Sequence, residues 1–337
     1  MDTAPVNQPL SEDEAVRRKM LAILRILSES EQPVGARNIA SELEKHGIVL
    51  SERQVRYHLQ IMDERGLTAG VGQSGRVLTL RGREELDNAL VAAKVGFVAA
   101  RMERLAYATT FDLNTGEGEV VLNVSLVRPA DLPAALEVMK PVMRAGLCIS
   151  DLVIVAGEGE SLGERVPAAL VGIGTVCSVT LNGILLRHYI PVESRFGGLL
   201  EIREGRPFRF TELVSYAGTS IDPLQIFITG RLTSATEAAL TGNGKVGAGF
   251  REIPAIALPK ARELTDRMKQ FRLGGVLAVG APSQPLLDLP VGLDRAGLVV
   301  VGGLTPLAAV AEHGIEVVNK AMCATCALAR LQPIAEF

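Results

Sequence analysis

Tryptophan is absent from this chain of 337 residues, which has only four tyrosines and nine phenylalanines. The hydrophobic core must therefore rest on valine, leucine, isoleucine and alanine. No apolar run approaches the ~18 residues that a membrane-spanning helix requires. The first residues, MDTAPVNQPLSEDE, are acidic and polar, whereas a secretory signal begins basic and then becomes apolar. We therefore expect a cytoplasmic protein that does not enter a membrane.

Cysteine is also scarce, and its four copies are scattered in a way that fits reduced thiols in a cytosol. Only Cys323 and Cys326 have the spacing of metal ligands, and nothing nearby supplies the two further ligands that a structural zinc site normally takes. The chain contains no nucleophile elbow, no HExxH and no Walker loop. We therefore expect no metal, no cofactor and no enzyme.

The net charge is only −3, which argues against a protein that coats nucleic acid nonspecifically. The charge is unevenly placed, however, because seven basic residues and only three acidic ones lie between Lys45 and Arg83. A local basic segment of this kind is typical of a small DNA-binding module within a larger protein.

The segment LSERQVRYHLQIMDERGLT, Leu50 to Thr68, has the pattern of a DNA-recognition helix. Ser51 is a good N-cap, and Val55, Leu59 and Met62 recur at helical spacing on the inner face. Arginine can pair with guanine and glutamine with adenine, and either can hold a phosphate. The outer face and the cap give our candidate DNA-binding residues on this helix: Ser51, Arg53, Gln54, Arg56, Tyr57 and Gln60.

Two predicted helices precede this segment, and a predicted β-hairpin with a turn at Gln73-Ser74-Gly75 follows it. Three helices and a hairpin form the order of a winged helix-turn-helix, which we assign to residues 12–82. We place Arg76 at the hairpin tip and expect Arg76 and Ser74 to contact the DNA backbone. The alternative is a winged helix that makes protein contacts only.

Residues 83–108 are predicted to form a helical connector. It carries apolar residues on one broad side and is interrupted by Gly96. This segment either joins the two domains or lines a dimer interface, and the sequence does not separate these roles.

From Thr109 onward, short apolar runs alternate with helical stretches, which is typical of an α/β domain and which we assign to residues 109–330. We predict helices at Leu132 to Arg144 and Ala261 to Phe271. The predicted strands are Val120 to Val127, Leu152 to Ala156, Gly172 to Cys177, Leu224 to Ile228, Gly275 to Val279 and Gly297 to Val301.

The chain also contains an internal repeat. GIGTVCSVTLNGILLRHYIPV (Gly172 to Val192) aligns without a gap on GLVVVGGLTPLAAVAEHGIEV (Gly297 to Val317), and each copy follows a predicted helix and strand. The sequence therefore predicts a multi-domain α+β and α/β protein, in which a winged helix-turn-helix precedes an α/β domain made of two related lobes. Two unrelated strand-loop-helix units that share a turn chemistry are the alternative.

Both repeats place small residues between a strand and a helix, where open backbone amides attract anions. A small dicarboxylate needs an arginine at one end and amides or hydroxyls at the other. Plain turns and an interface are the alternative for these loops. Arg195 lies just before Gly197 and Gly198, which we predict to form a flexible segment. Our candidate effector-binding residues are Ser178, Thr180, Arg195, Gly197, Gly198, Thr219 and Ser220.

The chain resembles the nitrogen regulatory repressor (NrpR) family of methanogenic archaea and some bacteria. The resemblance rests on LSERQVRYHLQIMDERGLT, VGFVAARMERLAYATTFD, TVCSVTLNGILLRHYIPVESRFGGLLEI and VGGLTPLAAVAEHGI. It implies a homodimeric or homotetrameric repressor of nitrogen-assimilation genes with one α/β effector domain. This repressor would leave double-stranded operator DNA when 2-oxoglutarate binds.

Three other functions fit the same residues. The first is a regulator of unrelated genes that senses another small anion. The second is an α/β enzyme fused to a winged helix, which turnover of a metabolite would reveal. The third is a protein-binding winged helix on an oligomeric scaffold, which would show no salt-dependent DNA binding.

Overall fold

The computed structural model describes residues 12–30, 32–72, 74–88 and 96–337. The chain divides into two compact units, Met1–Lys94 and Val95–Phe337. Of the predicted connector, residues 83–88 belong to the first unit, residues 96–108 belong to the second, and residues 89–95 lie outside the described part. The domain boundaries at 82, 108 and 330 stay predictions.

The first unit has the helices and hairpin of a winged helix. Its elements are α1 (Glu12–Ser28), α2 (Ala36–Lys45), α3 (Glu52–Glu64), β1 (Thr68–Gly70), β2 (Arg76–Leu78) and α4 (Leu80–Asn88). Ile23, Ile39, Leu43, Val55 and Leu59 are fully buried between the helices. The predicted hairpin is confirmed, because β1 and β2 pair antiparallel with Thr68 opposite Leu78.

The second unit contains strands and helices in alternation. Its strands are β3 (Glu119–Val127), β4 (Leu152–Ala156), β5 (Val171–Val176), β6 (Glu193–Arg203), β7 (Arg206–Ser215), β8 (Gly244–Pro254), β9 (Val276–Val279), β10 (Arg295–Val301), β11 (Val318–Ala327) and β12 (Gln332–Pro333). Its helices are α5 (Phe97–Ala108), α6 (Leu132–Arg144), α7 (Val179–Arg187), α8 (Pro223–Thr229), α9 (Ala235–Thr241), α10 (Leu258–Met268) and α11 (Thr305–Glu312).

Two five-stranded sheets organise this unit, with strand orders β11-β3-β5-β4-β12 and β7-β6-β8-β10-β9. Each sheet is built on one copy of the repeat, β3-α6-β4-β5-α7 in the first and β8-α10-β9-β10-α11 in the second. The chain then crosses over, because β6 follows the first copy but pairs with β8, and β11 follows the second copy but pairs with β3. Each lobe is therefore completed by a strand from the other.

Within each repeat, an equivalent threonine follows the central strand and bonds back to the first strand. Thr180 Oγ1 accepts a hydrogen bond from the Val121 amide at 3.0 Å, and Thr305 Oγ1 lies 3.5 Å from the Gly247 carbonyl oxygen. Both threonines are buried. These matching contacts explain why the two threonines align in the sequence repeat.

Two predictions about local structure in the second unit are wrong. The run from Leu224 to Ile228, predicted as a strand, lies in helix α8, because the Asp222 carboxylate caps the Leu224 amide at 2.8 Å and Pro223 occupies the first turn. Gly197 and Gly198, predicted as a flexible segment, lie inside β6, where each is paired on both sides.

Among the residues that the structure describes, no helix is both long and apolar enough to cross a membrane.

Candidate functional site

Helix α3 begins at a capping box. The Ser51 hydroxyl accepts a hydrogen bond from the Gln54 amide, and Gln54 Oε1 accepts one from the Ser51 amide at 2.9 Å. A capping box satisfies amides that the first turn of a helix leaves without partners. Ser51 and Gln54 therefore fix where the helix starts and which face it exposes.

The exposed face of α3 carries Arg53, Arg56, Tyr57 and Gln60. Their spacing places them on one stripe, opposite the buried side of the helix. Arg56 forms an exposed ion pair with Glu52 one turn away. Exposed pairs of this kind contribute only ~0–1 kcal/mol, so Arg56 can exchange Glu52 for a phosphate or a base edge at small cost.

The wing differs from its prediction at Arg76. This residue is opposite Gly70 in the hairpin and not at the tip, and its Nε donates to Asp63 Oδ2 at 2.8 Å. Asp63 also accepts a hydrogen bond from the Thr68 hydroxyl. Arg76 therefore ties the wing to the end of α3. Ser74 is exposed beyond it, and Gln73 lies outside the described residues.

In the second unit, the turns before α7 and α11 meet at a small cavity between the two lobes. Cys177, Ser178 and Val179 line it from the first lobe, and Gly303 and Leu304 line it from the second. The space open to the centre of a water molecule is about 10 Å³, which is room for about one water. The two repeats thus bring their equivalent turns to one place.

Close approach of the two turns depends on Gly303. A Cβ at this position would lie 2.4 Å from the Val176 carbonyl oxygen, so any larger residue would push the lobes apart. The Thr175 hydroxyl donates to the Gly303 carbonyl at 3.1 Å and joins the turns directly. The N-termini of α7 and α11 therefore converge, and the amides and dipoles of both favour negative charge there.

A buried arginine lies beside this cavity. Arg251, from the middle of β8, has no exposed surface, and its Nη2 donates to Ser178 Oγ at 2.8 Å. Its Nε and Nη1 have no hydrogen-bond partner among the described groups. Burial lowers the pKa of Arg251 from its ordinary value. Since buried charges are normally paired, Arg251 is a guanidinium whose hydrogen-bonding capacity is only partly used.

Asn123, Tyr216 and Asp222 are the other polar residues of the lining. Burial raises the pKa of Asp222 to about 6, while the Leu224 and Gln225 amides and the charge of Arg101 act in the opposite direction. Burial, and then the neighbouring Asp222, raise the pKa of the Tyr216 hydroxyl above its usual range. Near neutral pH the phenol is therefore neutral, while the Asp222 carboxyl is mostly ionised and takes up a proton as the pH falls toward 6.

The structure separates the predicted effector-binding residues. Ser178 lines the cavity, whereas the Thr180 hydroxyl is bonded to β3 and Thr219 Oγ1 donates to the Ile221 carbonyl at 2.6 Å within its own turn. Ser220, beside Thr219, is half-buried in the same turn and is not among the residues lining the cavity.

Gly197 is close to the cavity without lining it. A Cβ at Gly197 would lie 2.9 Å from the Tyr216 hydroxyl oxygen, and one at Gly198 would lie 2.5 Å from the Phe210 ring. Gly197 therefore lets Tyr216 pack against β6, while Gly198 makes room for Phe210 in the neighbouring strand.

Arg195 already has partners for its charge. Its Nη1 lies 2.9 Å from Glu252 Oε1, its Nε lies 3.5 Å from Glu193 Oε1, and the side chain is 38% exposed. This arrangement favours Arg251 over Arg195 as the cation of an anion site. Arg251 is not among the residues predicted from the sequence, although its position directly after the apolar run VGAGF is a usable signal.

Each of the two units matches a known protein family. Residues 95–333 match the family described as NrpR regulatory domains NRD1 and 2, and residues 21–86 match the winged-helix domain of ribonuclease R. A crystal structure of a nitrogen repressor-like protein from Methanococcus jannaschii superposes with a TM-score of 0.60 at 28% identity, covering 70% of this chain and 97% of that one.

Curated relatives extend over both units. The chain is 40% identical to the global nitrogen regulator NrpRI of Methanosarcina mazei, over 90% of this chain and 94% of the relative. It is 33% identical to the global nitrogen regulator NrpR of Methanocaldococcus jannaschii over 94% of this chain, and spans 54% of that longer protein. Both relatives are named as regulators. A regulatory-domain match over most of the chain and this level of identity show that the chain belongs to the NrpR family.

Proposed function

We propose that this chain is a repressor of nitrogen-assimilation genes that 2-oxoglutarate releases from operator DNA. The regulatory role is supported by the names of its relatives, which are global nitrogen regulators. The winged helix supplies the DNA contact through Arg53, Arg56, Tyr57 and Gln60, with Ser74 on the wing. The second unit supplies the effector site.

Arg251 is the observation that carries the choice of effector. 2-Oxoglutarate has a carboxylate at each end and a keto oxygen beside one of them. The unused N–H groups of Arg251 can donate to a carboxylate, and the amides of two helix N-termini can hold the other acceptors. Together these groups suit a small dicarboxylate better than an apolar ligand.

Ligand binding at this cavity requires a change of shape. The space holds about one water, and a five-carbon diacid is several times larger, so the ligand favours an expanded arrangement of the lobes. A ligand shifts an equilibrium only by its difference in affinity for the two states. In the proposed homodimer or homotetramer, the expanded state no longer presents two recognition helices to successive major grooves.

Fluorescence anisotropy on DNA upstream of the protein's own gene tests this function. We expect specific binding at fixed salt, and release by 2-oxoglutarate but not by succinate or glutamate. If 2-oxoglutarate leaves specific binding unchanged but another small anion reverses it, that anion is the effector, and the proposal of a ligand-responsive regulator still holds. Absence of salt-dependent DNA binding would contradict the repressor function.

A further inference from the structure

Helix α5 forms one wall of the cavity and is the first element of the second unit. Met102 on this helix is 4% exposed and lines the cavity. Methionine is unbranched and flexible, whereas the other walls include hydrogen-bonded strands and the fixed turn at Gly303. Met322 also lines the cavity, but it lies in strand β11, where its backbone amide donates to Asn123 Oδ1 at 3.0 Å. Met102 is therefore the methionine of the lining that lies on a helix, and it is the part that an entering ligand displaces most easily.

The C-terminal end of α5 is held in place. It packs on Gly183 of α7, where a Cβ would lie 2.3 Å from Thr109 Cβ and 2.7 Å from the Ala106 carbonyl oxygen. Thr109 is buried, and its hydroxyl donates to the Leu105 carbonyl at 2.9 Å. Backbone contact at a glycine leaves little freedom, so this end acts as a fixed point.

The N-terminal end of α5 packs on a turn that also lines the cavity. A Cβ on Gly96 would lie 3.7 Å from the Ala217 carbonyl oxygen, and Ala217 follows Tyr216 in the short helical turn Tyr216–Gly218. Gly96 has φ +78, a conformation that glycine adopts without strain. If the cavity expands against Tyr216 or Met102, the N-terminal half of α5 is therefore the part that moves.

The N-terminal half of α5 also carries Arg101, whose hydrogen-bonding capacity is only partly used. Arg101 Nε is buried and has no hydrogen-bond partner among the described groups. The charge of Arg101 acts on both Asp222 and Cys323, so the side chain lies near the cavity lining. An anion that enters the cavity would thus collide with the Met102 side chain and would be attracted by the charge of Arg101. Both residues lie on α5.

We propose that α5 transmits effector binding to the DNA-binding unit, with Met102 as the positioning residue that the ligand displaces. This inference rests on the proposed function, because it requires a ligand in the cavity. In the sequence, residues 89–95 connect helix α4 of the first unit to Gly96, and a helix fixed at Gly183 can move only at its N-terminal end. Occupancy of the cavity is therefore converted into displacement of the N-terminal end of α5, to which the first unit is covalently linked.

Met102→Ala tests the proposal, with Met102→Leu as the matched control of similar volume. The alanine variant makes room for the ligand without moving α5. We expect calorimetry to show 2-oxoglutarate binding at least as tight as in the wild type. The operator Kd ratio with and without ligand should fall from the ~5–150-fold typical of allosteric coupling toward one, whereas Met102→Leu should keep the wild-type ratio.

Hydrogen exchange on the wild-type protein gives a second readout that requires no variant. Saturating 2-oxoglutarate should change the exchange of the α5 amides and leave α6 unchanged. Unaltered α5 exchange during operator release, or full release of a ligand-bound Met102→Ala protein, would overturn this inference alone. Absence of 2-oxoglutarate binding by the wild type would overturn the proposed function together with it.

Discussion

The substitution Arg251→Met tests whether Arg251 binds a ligand or stabilises the fold. Methionine has a similar length and removes the charge. A structural arginine with all its partners in place should be costly to lose, since breaking a buried pair typically costs ~3–5 kcal/mol. Arg251 has one hydrogen bond and two unpartnered buried nitrogens, so we expect the opposite sign.

The magnitude follows from these groups. A buried donor without a partner costs ~1–3 kcal/mol, so the two nitrogens together cost ~2–6 kcal/mol. The charged hydrogen bond to Ser178 returns ~1.5–3 kcal/mol. Apolar replacement of buried charged groups is often neutral or stabilising by ~1–4 kcal/mol. We therefore expect Arg251→Met to raise the free energy of unfolding by ~1–3 kcal/mol.

Differential scanning calorimetry of the full chain measures this effect. Each kcal/mol moves the Tm of a domain of this size by ~2–4 °C, so the transition of the second unit should shift upward. 2-Oxoglutarate at a hundred times its Kd should stabilise the wild type by ~2.7 kcal/mol and should leave the variant unchanged. A Tm below that of the wild type, or a Tm of the variant that still rises with ligand, would refute the reasoning.

Three further predictions concern named side chains. Arg56→Ala should weaken operator binding by ~1–3 kcal/mol and relax specificity at one base if Arg56 reads that base; anisotropy on operator and mutated operator checks this, and unchanged affinity would exclude the contact. Arg76→Ala and Asp63→Ala should weaken operator binding to a similar extent in the same assay, because both break one wing anchor; loss in Arg76→Ala alone would restore Arg76 as a phosphate contact. Since burial raises the pKa of Asp222 to about 6, 2-oxoglutarate should bind more tightly as pH falls from 7.5 toward 6, because protonation removes a like charge. Calorimetry should show little pH dependence in Asp222→Asn, and a pH-independent wild type would contradict this interpretation.

Local signals in the sequence were sufficient for much of the fold. Ser51 and the apolar spacing of α3 depend on neighbours in sequence, so the cap and buried face were predictable. The strand Leu152–Ala156 and the helix Leu132–Arg144 match their predictions, because each has one clear apolar pattern. The aligned turns before α7 and α11 revealed the two lobes.

Features set by distant partners were not predictable in this way. The run after Pro223 is short and apolar, so its pattern fits either a strand or a helix. The hydrogen bond from the Leu224 amide to the Asp222 carboxylate stabilises the helix. The glycine at position 197 is required because Tyr216 packs against β6 there. Tyr216 is not a neighbour of Gly197 in sequence, so the sequence alone suggests a flexible segment instead.

The candidate site divides in the same manner. The turn before α7 is enough to indicate Ser178. The two glycines after Arg195 suggest a ligand site there, but the carboxylate partner of Arg195, Glu252, is far away in sequence. Arg251 was missed because its burial depends on both neighbouring strands of the sheet, with Ser194 and Leu298 as its pairing partners. A residue's availability for a ligand depends on tertiary partners and not on local pattern.

Titration of the operator complex with 2-oxoglutarate, for the wild type, Arg251→Met and Arg195→Ala, tests the central claim most directly. The wild type and Arg195→Ala should release operator DNA over the same range of ligand concentration, while Arg251→Met should bind the operator and fail to release it. Release of the Arg251→Met protein together with loss of response in Arg195→Ala would contradict the assignment of the effector site.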